Sequence, residues 1–185
     1  GSMFSKVSYD QIYDEHIYMF STSSVSKICK LYDMELINVI KQNTHGGSLR
    51  YICARKNTHR IDSNVKKLLD EEKNYNLDNL ESCLKFKEDC EDSKLKLRKK
   101  LHNFKSSGKK ICGYAATSKS TTILNYCDIG NDVIDYICDT TKEKIEKFSP
   151  GKHIPIKSMD YFYQNLPDVA FLFAWNHKEE IFEKE

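Results

Sequence analysis

The stretch Lys110-Ile-Cys-Gly-Tyr-Ala-Ala-Thr-Ser-Lys-Ser-Thr-Thr-Ile-Leu-Asn-Tyr126 decides how the rest of the chain reads. It opens on a short apolar run, Ile111 to Tyr114, and passes through small residues, Ala115 to Ser120. Apolar Ile123, Leu124 and Cys127 then follow at helical spacing. Strand, small loop and helix start present backbone N–H groups at the positive end of a helix dipole, where a phosphate is held. The hydroxyls of Thr117, Ser118, Ser120, Thr121 and Thr122 add donors, and Lys119 adds a cation. Val133 to Cys138 reads as the next parallel strand and ends at Asp139, where nucleotide-binding units often hold a ribose hydroxyl. The full G-x-G-x-x-G pattern is absent, so an ordinary βαβ unit with a short polar turn is the alternative reading.

Downstream, Thr140 to Ser149 reads as a charged turn or short helix. Pro150-Gly-Lys-His-Ile-Pro155 is a rigid loop that displays Lys152 and His153, toward an anion if one is bound. Ser158 caps a short helix, Met159 to Asn165. Val169 to Ala174 is a near-continuous apolar run, as expected of a strand buried on both faces. Trp175-Asn-His177 lies at its carboxyl end, and a final helix runs from Glu179 to Glu185. This order implies an α/β fold: a small parallel Rossmann-like sheet with helices on both faces. Ligands of such a sheet bind at the carboxyl ends of the strands, here Ala115 to Thr121, Asp139 and Trp175 to His177.

Upstream, residues 59 to 107 contain neither proline nor glycine. Cys83, Cys90, Leu97 and Phe104 recur by sevens, with Leu80, Leu84 and Leu101 beside them. They predict one apolar stripe on a helix of about 30 residues and about 45 Å, started by Asn76 or Asp78 and ended by Gly108. Lys87 and Lys94 interrupt the seam, which points to a connecting helix packed along another unit rather than a free coiled coil. Earlier still, Ser21 to Ser24 are capping residues before an amphipathic helix, Val25 to Tyr32. Met34 to Lys41 and Leu49 to Arg55 predict two strands joined by the turn Thr44-His-Gly-Gly-Ser48. Two strands alone are marginal in water, so this hairpin reads as the last piece of a larger sheet. The expected organisation is 1–57, hairpin and helices; 58–108, connecting helices; and 109–185, the α/β domain.

Tyr13, Glu15 and His16 lie within four residues of one another. A neutral imidazole beside a carboxylate can act as a general base, because the carboxylate steadies the imidazolium that forms. A surface helix with a chance histidine is the alternative.

The chain has 185 residues, a formal net charge of +2 and 30% charged residues, a balance that argues against a dedicated nucleic-acid binder. The longest apolar run, Val169 to Trp175, is too short to span a membrane, and no signal peptide is visible. Seven cysteines without a C-x-x-C pair read as reduced core residues of a cytoplasmic protein, with neither a disulfide framework nor a metal site. Gly1-Ser2 reads as a cloning remnant, so the natural chain is expected to begin earlier.

Several segments together resemble one family, the C-terminal half of SAM-dependent C-methyltransferases of nucleotide-linked deoxysugars. They are Tyr13-Asp-Glu-His16, Thr44-His-Gly-Gly-Ser-Leu-Arg50, Gly113-Tyr-Ala-Ala-Thr-Ser-Lys-Ser-Thr-Thr122 with Leu124-Asn-Tyr126, Pro150-Gly-Lys-His-Ile-Pro155, Leu166-Pro-Asp168 and Ala174-Trp-Asn176. The resemblance implies three parts: an N-terminal zinc domain, a central domain that binds S-adenosyl-L-methionine (SAM), and a C-terminal α/β domain for the sugar nucleotide. This chain would begin in the last third of the SAM domain, without its Gly-rich loop and without the zinc cysteines. His16 would be the base that removes the proton beside a keto group, with Glu15 and Tyr13 around it, and the enolate would attack the SAM methyl. The sugar-nucleotide site would comprise Gly113, Tyr114, Ala116, Thr117, Ser118, Lys119, Ser120, Thr121 and Thr122, with Asp139, Lys152, His153 and Asn176. The family's usual glycine after Gly113-Tyr114 is Ala115 here, and a common proline is Thr117. A nucleotide diphosphate sugar is the expected partner, with no nucleic acid or membrane and a monomer or weak dimer as the assembly. The alternative is a stand-alone nucleotide or nucleotide-sugar module without chemistry of its own.

Overall fold

The structure, a computed structural model, describes residues 2–185 apart from the side chains of Ser2 and His45. The reading of Gly1 as part of a remnant lies outside the described residues. Two compact units account for the chain. The first comprises the chain up to Ser8 with Ile17–Glu88, and the second comprises Tyr9–His16 with Asp89–Glu185.

In the first unit, a short helix α1 (Ser2–Lys6) precedes α2 (Thr22–Leu31). Ser21 and Ser24 form a reciprocal capping box at the start of α2. Strands β1 (Met34–Gln42) and β2 (Ser48–Arg55) pair antiparallel across the expected turn, where Gly46 and Gly47 take positive φ. The register slips between Leu36 and Asn38. That bulge lets Leu36 and Val39, three residues apart, both point inward. They pack with Cys29 of α2 and with Val65 and Leu68 of α3 (Ser63–Asn74).

The expected long helix is α4 (Leu80–Ser106), of 27 residues. Its start differs from the expectation: Asn79, rather than Asn76 or Asp78, accepts from the Glu81 amide at 2.8 Å. Its end is as read, with Gly108 at φ 77° and the Lys109 amide bonded back to the Phe104 carbonyl. Only Cys90 and Leu101 of its stripe are buried, while Leu80, Leu84 and Cys83 are exposed.

The second unit is built on a parallel four-stranded sheet. Its strands are β3 (Ile111–Tyr114), β4 (Tyr136–Cys138), β5 (Ile156–Lys157) and β6 (Val169–Leu172), in the order β5-β4-β3-β6. Helix α5 (Ser118–Tyr126) joins β3 to β4, α6 (Met159–Gln164) joins β5 to β6, and α7 (Lys178–Lys184) ends the chain. The two crossovers step in opposite directions along the sheet, so right-handed connections place α5 and α6 on opposite faces. Phe162 and Met159 of α6 pack on the face formed by Cys112, Tyr136 and Cys138. Ile111, Leu124, Ile129, Ile134, Ile137, Ile154 and Phe173 have no exposed surface and form the core.

Three expectations are corrected here. The strand expected from Val133 begins at Tyr136, because Val133 and Ile134 turn back onto the Gly130 carbonyl. Asp135 then replaces a ladder bond, its carboxylate accepting the Ile111 amide at 2.9 Å. Of the apolar run Val169–Ala174, only Val169–Leu172 forms a strand, at the sheet edge with Ala170 exposed, not a strand buried on both faces. All seven cysteines are free, but Cys53 and Cys83 are exposed and are not core residues.

Candidate functional site

The order of the sheet places a crevice. After β3 the chain moves outward through β4 and β5, then returns to the far side of β3 as β6. The direction of winding therefore reverses between β3 and β6, and ligands of open α/β sheets bind outside the carboxyl ends of the strands at such a reversal. Two segments frame this point: Ala115 to Thr117 after β3, and Phe173 to His177 after β6.

Lys119, in the first turn of α5, is buried at 7% exposure. Its Nζ donates to the Asn176 Oδ1 at 2.9 Å and lies 5.1 Å from the centre of the Trp175 ring. The indole Nε1 of Trp175 donates in turn to Oδ2 of Asp10 at 2.7 Å. Burial pulls the Lys119 pKa below its ordinary value, and the Asp10 charge opposes that shift. Lys119 and Asn176 were legible in the sequence, and Trp175 was placed at the ligand edge; Asp10 was given no role, and 165 positions separate it from Trp175.

The loop itself is held from the β4 side. Asp139, also 7% exposed, accepts the Ala116 amide at 2.7 Å and the Thr141 amide at 2.8 Å. The Ala116 carbonyl accepts from the Lys144 Nζ at 2.8 Å. Burial works against the Asp139 carboxylate, but the Thr141 and Ala116 hydrogen bonds and the Lys144 charge outweigh it and hold its pKa below the usual range. Asp139 thus spends both oxygens on the protein backbone, and its place at the end of β4 is accounted for by loop support. Lys144 is a second cation at the loop that the sequence reading passed over as part of a charged turn.

The expected donors separate into two groups. Thr117 is the N-cap of α5, its hydroxyl accepting the Ser120 amide at 3.1 Å, while the Ser120 hydroxyl donates to the Thr117 carbonyl at 2.6 Å. The Thr122 hydroxyl donates to the Ile12 carbonyl at 2.9 Å. Among the described residues, the amides of Ser118 and Lys119 and the hydroxyls of Ser118 and Thr121 have no protein acceptor. Those groups, with Lys119, are what the loop offers an anion. Gly113 is buried inside β3, where an added Cβ would stand 2.6 Å from Cε2 of Phe173; packing accounts for it. The Tyr114 hydroxyl donates to Glu185 at 2.6 Å. Ala115 takes φ 74°, a left-handed conformation.

Lys152 and His153 are not brought to this loop. Asn125, at the last turn of α5, donates to the Pro150 carbonyl at 3.0 Å, so their loop lies at the opposite end of the helix. Nine residues of helix span about 13 Å. Lys152 pairs with Asp128, while the exposed His153 takes φ 51°.

The segment Tyr9–His16 packs on α5. Tyr9 meets the Cys127 sulfur at 3.3 Å, and Ile12 is tied to Thr122. The segment thus runs from the carboxyl end of α5 toward its amino end before the turn that carries Tyr13 and His16. His16 Nδ1 lies 2.8 Å from the Gln11 carbonyl, which only accepts, so Nδ1 carries the proton. Nε2 then keeps its lone pair and accepts from the Tyr13 hydroxyl at 2.9 Å. Burial, then the charges of Glu15, Asp10 and Asp14, push the Tyr13 pKa up. Glu15 is exposed and bonds to neither ring nitrogen, so the imidazole is oriented by Gln11 and Tyr13 rather than by the adjacent carboxylate.

Among the described residues, no group of three or more His, Cys, Asp or Glu could hold a metal, and no helix is long and apolar enough to cross a membrane. The chain is similar to the C-methyltransferase NovU of Streptomyces niveus, with 29% identity over 178 residues. The match takes in 96% of this chain, which spans 42% of that relative's length. Residues 43–185 match the family described as the C-methyltransferase C-terminal domain, and the chain belongs to that family.

Proposed function

We propose that this chain is part of a C-methyltransferase acting on a nucleotide-linked keto sugar, in which the second unit binds the diphosphate and presents the base. The observation that carries the reading is the buried Lys119 ammonium beside the unpartnered amides of Ser118 and Lys119, where the sheet reverses its winding. An anion there gains charge-assisted hydrogen bonds and the helix dipole together.

His16 supplies the other half. In its neutral tautomer Nε2 is the only ring atom able to take a proton. A substrate proton beside a ketone passes to Nε2, and the electron pair left behind becomes an enolate. The Gln11 carbonyl holds Nδ1–H of the resulting imidazolium, and the displaced Tyr13 hydroxyl is free to donate to the substrate oxygen.

The apolar groove of the first unit does not fit SAM. That groove, of about 430 Å³, is lined by Phe20, Val25, Ile28, Cys29, Tyr32, Met34, Tyr51 and Cys53. No charged side chain there would meet an amino acid or a ribose. No methyl-transfer step is therefore assigned to these residues, whose part is phosphate binding and proton removal.

Calorimetry of the 185-residue chain with UDP and dTDP, followed by a crystal soaked with the tighter of the two, tests the reading. Saturable binding with the diphosphate at Ser118 and Lys119 is the expected result. Absence of binding, or a diphosphate bound elsewhere, overturns it.

A further inference from the structure

The Lys119 site is assembled from three distant pieces of chain, and one residue that touches no ligand position links them. Asp10 lies in the turn Tyr9–Gln11 and is 6% exposed. Its Oδ2 receives the indole N–H of Trp175, and the indole face lies under the Lys119 ammonium. We propose that Asp10 is a positioning residue for the anion site, acting through Trp175 on Lys119; this rests on the diphosphate reading above.

The geometry gives the indole two constraints. Trp175 follows β6 in a short turn, so its backbone is fixed by the sheet. The ring still has two side-chain torsions, and the hydrogen bond to a buried carboxylate selects one orientation. In that orientation the ring lies under Lys119 and the next residue, Asn176, receives Nζ at 2.9 Å. A lysine side chain held this way has little rotamer freedom left to lose when an anion arrives. The Asp10 charge also favours the protonated amine. Without Asp10 the indole N–H loses the bond that selects this orientation, and the platform under Lys119 is weakened. The same turn leads into Tyr13 and His16, so one residue ties the phosphate site to the segment that carries the base.

Trp175 is the sole tryptophan of the chain, so its emission reports changes in the surroundings of this indole. The test compares Asp10→Asn, Asp10→Ala and Trp175→Phe with the parent chain, by emission spectrum and by calorimetry with UDP and dTDP. Asparagine keeps an oxygen acceptor for the indole. The expected result for Asp10→Asn is a parent-like emission spectrum and affinity within about threefold of the parent. Asp10→Ala should shift the emission and weaken binding about tenfold. Trp175→Phe should weaken binding by a similar factor, and it decides the matter if Asp10→Ala does not fold. Parent-like affinity in Asp10→Ala or Trp175→Phe overturns the proposal and leaves the diphosphate reading intact. So does an equal loss in Asp10→Asn with unchanged emission, because charge alone would then account for it. Failure of the parent chain to bind overturns the diphosphate reading and this proposal with it.

Discussion

Lys119 and Asn176 lie 57 positions apart in sequence and meet at the carboxyl edge of the sheet, Nζ donating to Oδ1 at 2.9 Å. A buried ammonium has two further N–H groups to offer once one is fixed. Lys119→Ala should weaken nucleoside diphosphate binding by about 1.5–3 kcal/mol, the scale of a charged hydrogen bond. Higher salt should weaken the parent more than the variant. Asn176→Asp should weaken binding at least as much, since a carboxylate at that position competes with the diphosphate for the ammonium. Calorimetry at two salt concentrations checks both expectations.

The rings of His16 and Tyr13 lie with centres 4.0 Å apart, tilted by 31°, and share a hydrogen bond. In the complete enzyme, His16→Asn should lower kcat by about 10²-fold or more, the usual scale for a lost general base. Glu15→Gln should cost far less, because Glu15 does not touch the imidazole. Single-turnover kinetics of the two variants separates these roles, and equal losses would return Glu15 to the centre of the mechanism.

Much of this site was legible from local pattern. Ile111 to Tyr114 followed by small residues specified strand, loop and helix, and Ser158 was placed where it caps, whereas Thr117, read as a donor to an anion, caps α5. Long-range pairing was not legible. Nothing near Asp10 in sequence indicates that its partner is Trp175, and nothing near Asp139 shows that one of its oxygens is taken by Ala116. Lys152 and His153 looked like anion ligands because motif order says nothing about which end of α5 a loop meets. The edge position of β6 was hidden for a similar reason: an apolar run reads alike at the centre and at the rim until strand order is known. β5, with two residues, is too short to show any period.

The 185-residue chain should show no tight SAM binding. The groove of its first unit carries no charged side chain, whereas SAM brings an ammonium, a carboxylate and a sulfonium. Calorimetry should give no saturable heat at micromolar SAM. A micromolar dissociation constant would mean that the present residues form a SAM cradle after all.

Two neighbouring positions should respond oppositely to exchange of glycine and alanine. A Cβ on Gly113 would press on Phe173 at 2.6 Å and on Ile137 at 3.1 Å, so Gly113→Ala should destabilise by about 1–3 kcal/mol. Ala115 already has φ 74°, where an L-residue costs about 1–2 kcal/mol. Glycine removes that cost but adds about 0.5–1 kcal/mol of chain entropy to the unfolded state. Ala115→Gly should therefore be stabilising by about 0.5–1 kcal/mol, the difference of these terms. Urea denaturation of the two variants gives both signs.

Glu72 of α3 should make the first unit sensitive to acid. Its carboxylate, 8% exposed, accepts the Thr22 amide at 2.5 Å and the Ser23 amide at 2.8 Å, across the start of α2. Burial acts to raise its pKa, but the hydrogen bonds from Ser23 and Thr22 outweigh that and hold it below the usual carboxylate range. A lowered folded pKa means that the unfolded chain binds the proton more readily. The stabilisation is therefore complete above the unfolded value of about 4.3 and is lost as pH falls through the folded one. Glutamine keeps one oxygen but turns an amide NH2 toward a backbone N–H, so one donor is left facing another. Glu72→Gln should cost about 2 kcal/mol at neutral pH, and its stability should fall less than the parent's as pH drops below 4.3, roughly the range where the parent loses this term. Far-UV circular dichroism melts at pH 7 and in the acid range measure both effects. A parent and variant that lose stability in parallel on acidification would show that Glu72 is not the group responsible.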